Sequence, residues 1–102
     1  MRIVGGEWRS RVLTFPDALG LRPTPDRVRE TLFNWLGQDL TGKRCLDLYA
    51  GSGALGFEAL SRGASHVDMV ERARPVVAAL QRSAAALQAG ARLRIVHGDA
   101  LE

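Results

Sequence analysis

The stretch CLDLYAGSGALGFEALSRGA, Cys45 to Ala64, limits what this chain can fold into more than any other. A short apolar, β-prone run meets a group of glycines and continues into a run rich in alanine and leucine, which reads as a buried strand, a tight turn and a helix. Gly51, Gly53 and Gly56 satisfy G-x-G-x-x-G at that junction. Glycines there let the backbone turn sharply, let a ligand approach without a Cβ in the way, and let the helix pack closely on its strand.

The same rhythm continues to His97. Strands are predicted over Arg44–Tyr49, His66–Val70 and Leu93–His97, and helices over Ala54–Arg62 and Pro75–Ala89. Alternation of this kind implies an α/β fold with a parallel sheet and right-handed crossovers, both helices falling on one face. Upstream, RIV and VLTF flank the glycine-containing GGEWRSR, as in a β-hairpin or extended arm, and PDALGLRP reads as a linker. Thr24, Pro25 and Asp26 signal a helix start. Val28, Leu32, Trp35 and Leu36 then share one face, with Arg27, Arg29 and Glu30 mostly off it; Phe33 and Trp35 read as core, and Gly37 stops the helix.

Three acids narrow the ligand. Asp47 lies four residues before Gly51 in an otherwise apolar strand, where an unpaired carboxylate is expensive. Glu71 ends the second strand, placed to accept hydrogen bonds from ribose hydroxyls, and Asp99 follows the third. A pyrophosphate would be repelled by so many anions at one sheet edge. A ligand carrying an amino group, a ribose and an exocyclic adenine amine would be held, and S-adenosylmethionine carries all three. The alternatives are a dinucleotide site, as in an NAD-dependent oxidoreductase, and a turn that merely joins strand to helix.

Asp47, Tyr49, Gly51 and Gly53 match the D-x-[FY]-x-G-x-G motif of S-adenosylmethionine-dependent methyltransferases. With GLRPTPDRVRETLFNWL before it and RIVGGEWRSR at the start, the chain resembles the bacterial 16S ribosomal RNA guanine-N2 methyltransferases along nearly its whole length. The resemblance implies the first three strands of a Rossmann-like methyltransferase fold over residues 24–102, behind a basic arm and linker over residues 1–23. It implies that Asp47 and the Gly51–Ser52–Gly53 backbone hold the methionine end of the cofactor, Glu71 its ribose, and Asp99 with Ala100 its adenine; Tyr49, the motif's aromatic, counts with the cofactor-binding residues, the alternative being that it packs under the cofactor loop. It places Arg22, Thr24 and Arg27 at the methionine pocket or the RNA entrance, and Arg2, Trp8, Arg9 and Arg11 against ribosomal RNA. The family's transfer motif, [ND]-P-P-[FY], does not occur in these 102 residues. The expectation is therefore the cofactor-binding half of an RNA methyltransferase, inactive alone; the alternative is a non-catalytic RNA-binding or cofactor-sensing module.

Composition adds little to this. Thirteen arginines against the single Lys43, with a net charge of +3, fit nucleic-acid contact without requiring it. On the arm, the arginines and Trp8 also admit a bland reading, a solvated hairpin face with one packed ring. Cys45 is the only cysteine and reads as a small buried hydrophobe, and His66 and His97 have no partners spaced to bind metal, so no metal site is predicted. With no apolar run of membrane length and no signal-peptide core, a cytoplasmic location is expected. If the chain ends at Glu102, the open first strand and uncovered sheet face predict self-association.

Overall fold

The computed structural model describes residues 2–14, 26–48 and 53–98. Its elements are α1 (Asp26–Leu36), β1 (Arg44–Leu48), α2 (Ala54–Ser61), β2 (His66–Glu71), α3 (Arg74–Leu87), a 3-10 turn (Gly90–Arg92) and β3 (Leu93–His97). The three strands form a parallel sheet in the order β1-β2-β3. Arg44 pairs with His66 and Val67 with Leu93, so the strands advance together towards one carboxyl edge.

Side chains alternate across the sheet. Val67 and Met69 of β2 point to the face covered by α2 and α3 and are completely buried with Phe57, Leu60 and Leu80. Both helices therefore lie on one face, as the alternating pattern predicts. On the other face Leu46 and Leu48 are exposed, 63% and 46% respectively. In α3, Val76, Ala79, Leu80, Ser83 and Leu87 face inward at helical spacing, and Pro75 occupies the first turn where its missing N–H costs nothing.

The first helix departs from its pattern. Val28, Trp35 and Leu36 are exposed, Trp35 to 80%, while Arg29 is completely buried beside Phe33. The core role expected of Trp35 is thus corrected, and Phe33 keeps its own. Burial here follows charge pairing rather than apolarity: the Arg29 guanidinium lies 3.9 Å from the buried carboxylate of Glu58 in α2 and donates to the Arg2 carbonyl at 2.7 Å. Gly37 ends α1 at a φ of 99°, a left-handed conformation that favours glycine.

The N-terminal residues form a hairpin-like arm. Arg2 and Val12 make an antiparallel bridge, and Ile3 donates to the Arg11 carbonyl at 2.9 Å while Ser10 donates back to the Ile3 carbonyl at 2.8 Å. Ile3, Trp8 and Leu13 from the arm are buried in the common core. Among the described residues no helix is long and apolar enough to cross a membrane.

Candidate functional site

The carboxyl edge of the sheet is organised around the start of α2. Gly53 caps the helix with a φ of 79°, and its carbonyl accepts the first helical bond from Phe57 N–H at 2.9 Å. A Cβ at Gly53 would come within 2.5 Å of the Phe57 ring and 2.8 Å of Leu80. At Gly56 it would come within 2.4 Å of the Met69 methyl and 3.1 Å of the Asp47 carboxylate. Both positions are glycine for the sake of space, and that space lets the helix sit close on β1 and β2.

Asp47 points to the helix-covered side of β1, half-buried, and its Oδ2 accepts from the Gly56 N–H at 3.2 Å. Burial pushes its carboxyl above the usual carboxylate range, and the Gly56 hydrogen bond partly opposes this. Glu71 ends β2 on the same side, one residue beyond the Leu48–Val70 pair. Its Oε2 accepts from the Ala73 N–H at 2.8 Å, and its carbonyl accepts from Gly98 N–H at 2.9 Å, which ties the end of β3 to the same edge. Asp47, Gly53 and Glu71 are therefore gathered at one edge. Tyr49, Gly51, Ser52, Asp99, Ala100, Arg22 and Thr24 lie outside the described residues. No cluster of His, Cys, Asp and Glu able to hold a metal ion occurs among the described residues.

Asp47, Gly53 and Glu71 suit the groups that S-adenosylmethionine carries. A half-buried carboxylate beside a glycine-opened helix start suits an ammonium group, and a second carboxylate at the next strand end suits a diol.

The arm surrounds the opposite end of α2. Glu58, completely buried, accepts from Val4 N–H at 2.9 Å, Gly5 N–H at 3.0 Å and the Arg62 Nε at 3.0 Å. One turn along, Ser61 accepts from Trp8 N–H at 2.9 Å and donates to the Gly5 carbonyl at 2.5 Å, while its own carbonyl accepts from Glu7 N–H at 2.7 Å. Gly6 sits so close that a Cβ would fall 1.8 Å from the Ser61 carbonyl oxygen. The arm is thus bolted to α2 by buried polar groups, and the sequence reading missed all of them. A signal was present: Glu58 is a lone acid in the apolar run ALGFEALS, the same anomaly that singles out Asp47.

The arm residues expected to touch RNA divide. Arg2, Arg9 and Arg27 are exposed, and Arg11 is exposed with its guanidinium donating to the Ala86 carbonyl of α3 at 2.9 Å. Trp8 is 7% exposed, packed in the core with the Arg92 guanidinium 5.7 Å from its ring centroid. The base-stacking role expected of Trp8 is corrected accordingly; the ring is the packed anchor of the hairpin.

The family model described as Conserved hypothetical protein 95 matches residues 1–102. The chain belongs to this family. It is 52% identical over 101 residues to ribosomal RNA small subunit methyltransferase D of Escherichia coli K12, covering 99% of this chain and 50% of that protein. It is 51% identical over 83 residues to the protein of the same name in Haemophilus influenzae, covering 81% of this chain and 43% of that one. Among solved structures, the putative methyltransferase yhhF of Escherichia coli superposes with a TM-score of 0.89 at 48% identity, over 99% of this chain and 54% of that one. A hypothetical protein of Thermus thermophilus does so at 0.81 and 34% identity, over 99% and 57%. The fold is α/β, the first three parallel strands of a Rossmann-like methyltransferase fold, and the chain spans about half the length of the curated relatives it matches.

Proposed function

We propose that this chain is the cofactor-binding part of an enzyme that methylates the exocyclic N2 amine of a guanine in 16S ribosomal RNA, using S-adenosylmethionine. The observation that supports it most is the convergence of Asp47 and Glu71 beside the glycine start of α2, in a chain about half identical to relatives named ribosomal RNA small subunit methyltransferase D.

When bound, S-adenosylmethionine supplies a methyl group made electrophilic by its sulfonium. Asp47 would hold the ammonium end, with the backbone of residues 51–53 beside it and Tyr49 under the cofactor loop. Glu71 would accept from the ribose hydroxyls, and Asp99 with Ala100 would hold the adenine. Because burial raises the Asp47 carboxyl, its grip on an ammonium strengthens as pH rises through its folded pKa. Arg2, Arg9, Arg11 and Arg27 would meet RNA phosphates, with Arg22 and Thr24 at the entrance. Transfer itself is chiefly a matter of holding amine and methyl in line, which orientation alone accelerates strongly. We assign that step to the longer protein, in which an [ND]-P-P-[FY] tetrapeptide would grip the guanine amine. The partner is ribosomal RNA or the small subunit, in the cytoplasm.

The test is transfer of a labelled methyl group from S-adenosylmethionine to small-subunit ribosomal RNA by the longer protein. Label at a guanine N2, lost in Asp47→Ala, supports the proposal. Tight cofactor and RNA binding with no transfer in the longer protein overturns it in favour of a non-catalytic module.

A further inference from the structure

The arm and α1 enclose a polar groove that the cofactor site does not use. A hollow of about 420 Å3 lies between Val4–Gly6 on one wall and Glu30 and Asn34 of α1 with Gln38 just beyond it on the other, with Arg62 at its floor. A second hollow of about 210 Å3 shares Val4, Arg9 and Glu30 with the first and runs on to Arg2 and Ser10. The two form one channel with cationic side chains along its rim.

This channel is built rather than incidental. Its arm wall is fixed by the Glu58 and Ser61 bonds to Val4, Gly5 and Trp8. Its floor is fixed by Arg62, held between Glu58 and Gln38 and stacked 4.9 Å from the Phe33 ring centroid. Gly5 leaves room for that guanidinium, since a Cβ there would come within 3.0 Å of it. On the other wall Glu30 and Asn34 lie one helical turn apart on a single face of α1, and Gln38 follows beyond the Gly37 turn, within reach of Asn34. Gln38 donates to Asn34, so the amides form a ladder of donors and acceptors.

The chemistry of this lining sorts the parts of a nucleic acid. Exposed Arg2 and Arg9 suit phosphates. The Glu30 carboxylate repels phosphate but accepts from N–H groups, and amide side chains pair with base edges. A duplex presents its bases stacked and paired, whereas an unpaired strand can turn one base into such a channel.

We propose that this channel is a binding site for an unpaired RNA segment, its phosphates on Arg2 and Arg9 and one donor-bearing base edge against Glu30, Asn34 and Gln38. The inference rests on the RNA-methyltransferase reading above and adds the strand state and the base-contacting residues to it. Sequence reading placed none of these three acid and amide residues at a site.

Fluorescence anisotropy with a short labelled RNA, unpaired or annealed to its complement, tests this over a series of salt concentrations. The protein should prefer the unpaired strand. Asn34→Ala should weaken that binding by about fivefold to tenfold with an unchanged salt slope, because the lost contacts are neutral hydrogen bonds. Asn34→Leu, which fills the channel without touching Arg62, should do the same. Arg9→Ala should instead flatten the slope by about 0.7, the value of one single-strand phosphate contact. If the arginine variant flattens the slope while both amide variants bind like the parent, or if duplex and unpaired RNA bind equally, the channel proposal fails and the RNA reading stands. If the parent binds neither RNA, both fail.

Discussion

Two helices of similar amphipathic promise meet opposite fates here. In α3 the apolar side chains Val76, Leu80 and Leu87 enter the core, as their spacing dictates. In α1 the apolar side chains Val28, Trp35 and Leu36 face outward, and a fully buried arginine faces in. The difference lies in what each helix packs against. The third helix meets the apolar side of the sheet, where removing hydrocarbon from water is the only large gain. The first meets the arm and the far end of α2, where Glu58 offers a buried negative charge to Arg29 and Arg62.

The largest expected effect removes the basis of that difference. Glu58→Ala leaves two buried guanidinium groups without their carboxylate and two arm N–H groups without an acceptor, and should cost about 3–5 kcal/mol. The arm should also become cleavable by trypsin at Arg9 and Arg11 before the rest unfolds. A loss in chemical denaturation with no change in arm cleavage would show that the buried charges do not hold the arm.

Leu80→Ala should cost about 2–4 kcal/mol through lost burial and a cavity, without selective cleavage of the arm. Together the two variants separate a polar latch from an apolar core by protease pattern rather than by stability alone.

A smaller effect is expected at the sheet edge. Burial raises the Asp47 carboxyl in the folded chain above its unfolded value, so its contribution is full below the unfolded pKa and is lost as pH rises through the folded pKa. Asp47→Asn should therefore stabilise the chain at neutral pH, with the gain shrinking as pH falls, while weakening cofactor binding. Thermal melts at several pH values check this, and a destabilised variant at neutral pH would reverse the assignment. The smallest effect is at Trp35: Trp35→Ser should change stability by no more than about 0.5 kcal/mol, because the side chain is exposed. A drop of several times that size would mean that the ring is packed after all.

What was legible in the sequence follows the same division. The strand and helix alternation, the positions of Gly53 and Gly56, and the meeting of Asp47 with Glu71 at one edge could be read from period, turn chemistry and a misplaced acid. The orientation of α1 could not, because counting apolar positions assumes that burial follows apolarity, and Arg29 is buried for the sake of a carboxylate on another helix. For Trp8 the packed-ring reading holds and the base-stacking one does not, for a related reason: its ring is buried where the arm folds back on Ser61 and Arg92. Glu58 was readable in principle, since the logic that isolated Asp47 applies to it unchanged. The polar wall that Glu30, Asn34 and Gln38 set opposite the arm depends on where the arm packs, which no local pattern shows.

In the function proposed above, Asp47 and its glycine turn hold the methionine end of a methyl donor. Calorimetric titration of the chain and of Asp47→Ala with S-adenosylmethionine, and with NAD in parallel, addresses it most directly. Binding of S-adenosylmethionine that weakens at least about tenfold in Asp47→Ala, with no heat from NAD, is the expected result. Preference for NAD, or an unchanged affinity for S-adenosylmethionine in the variant, would refute it.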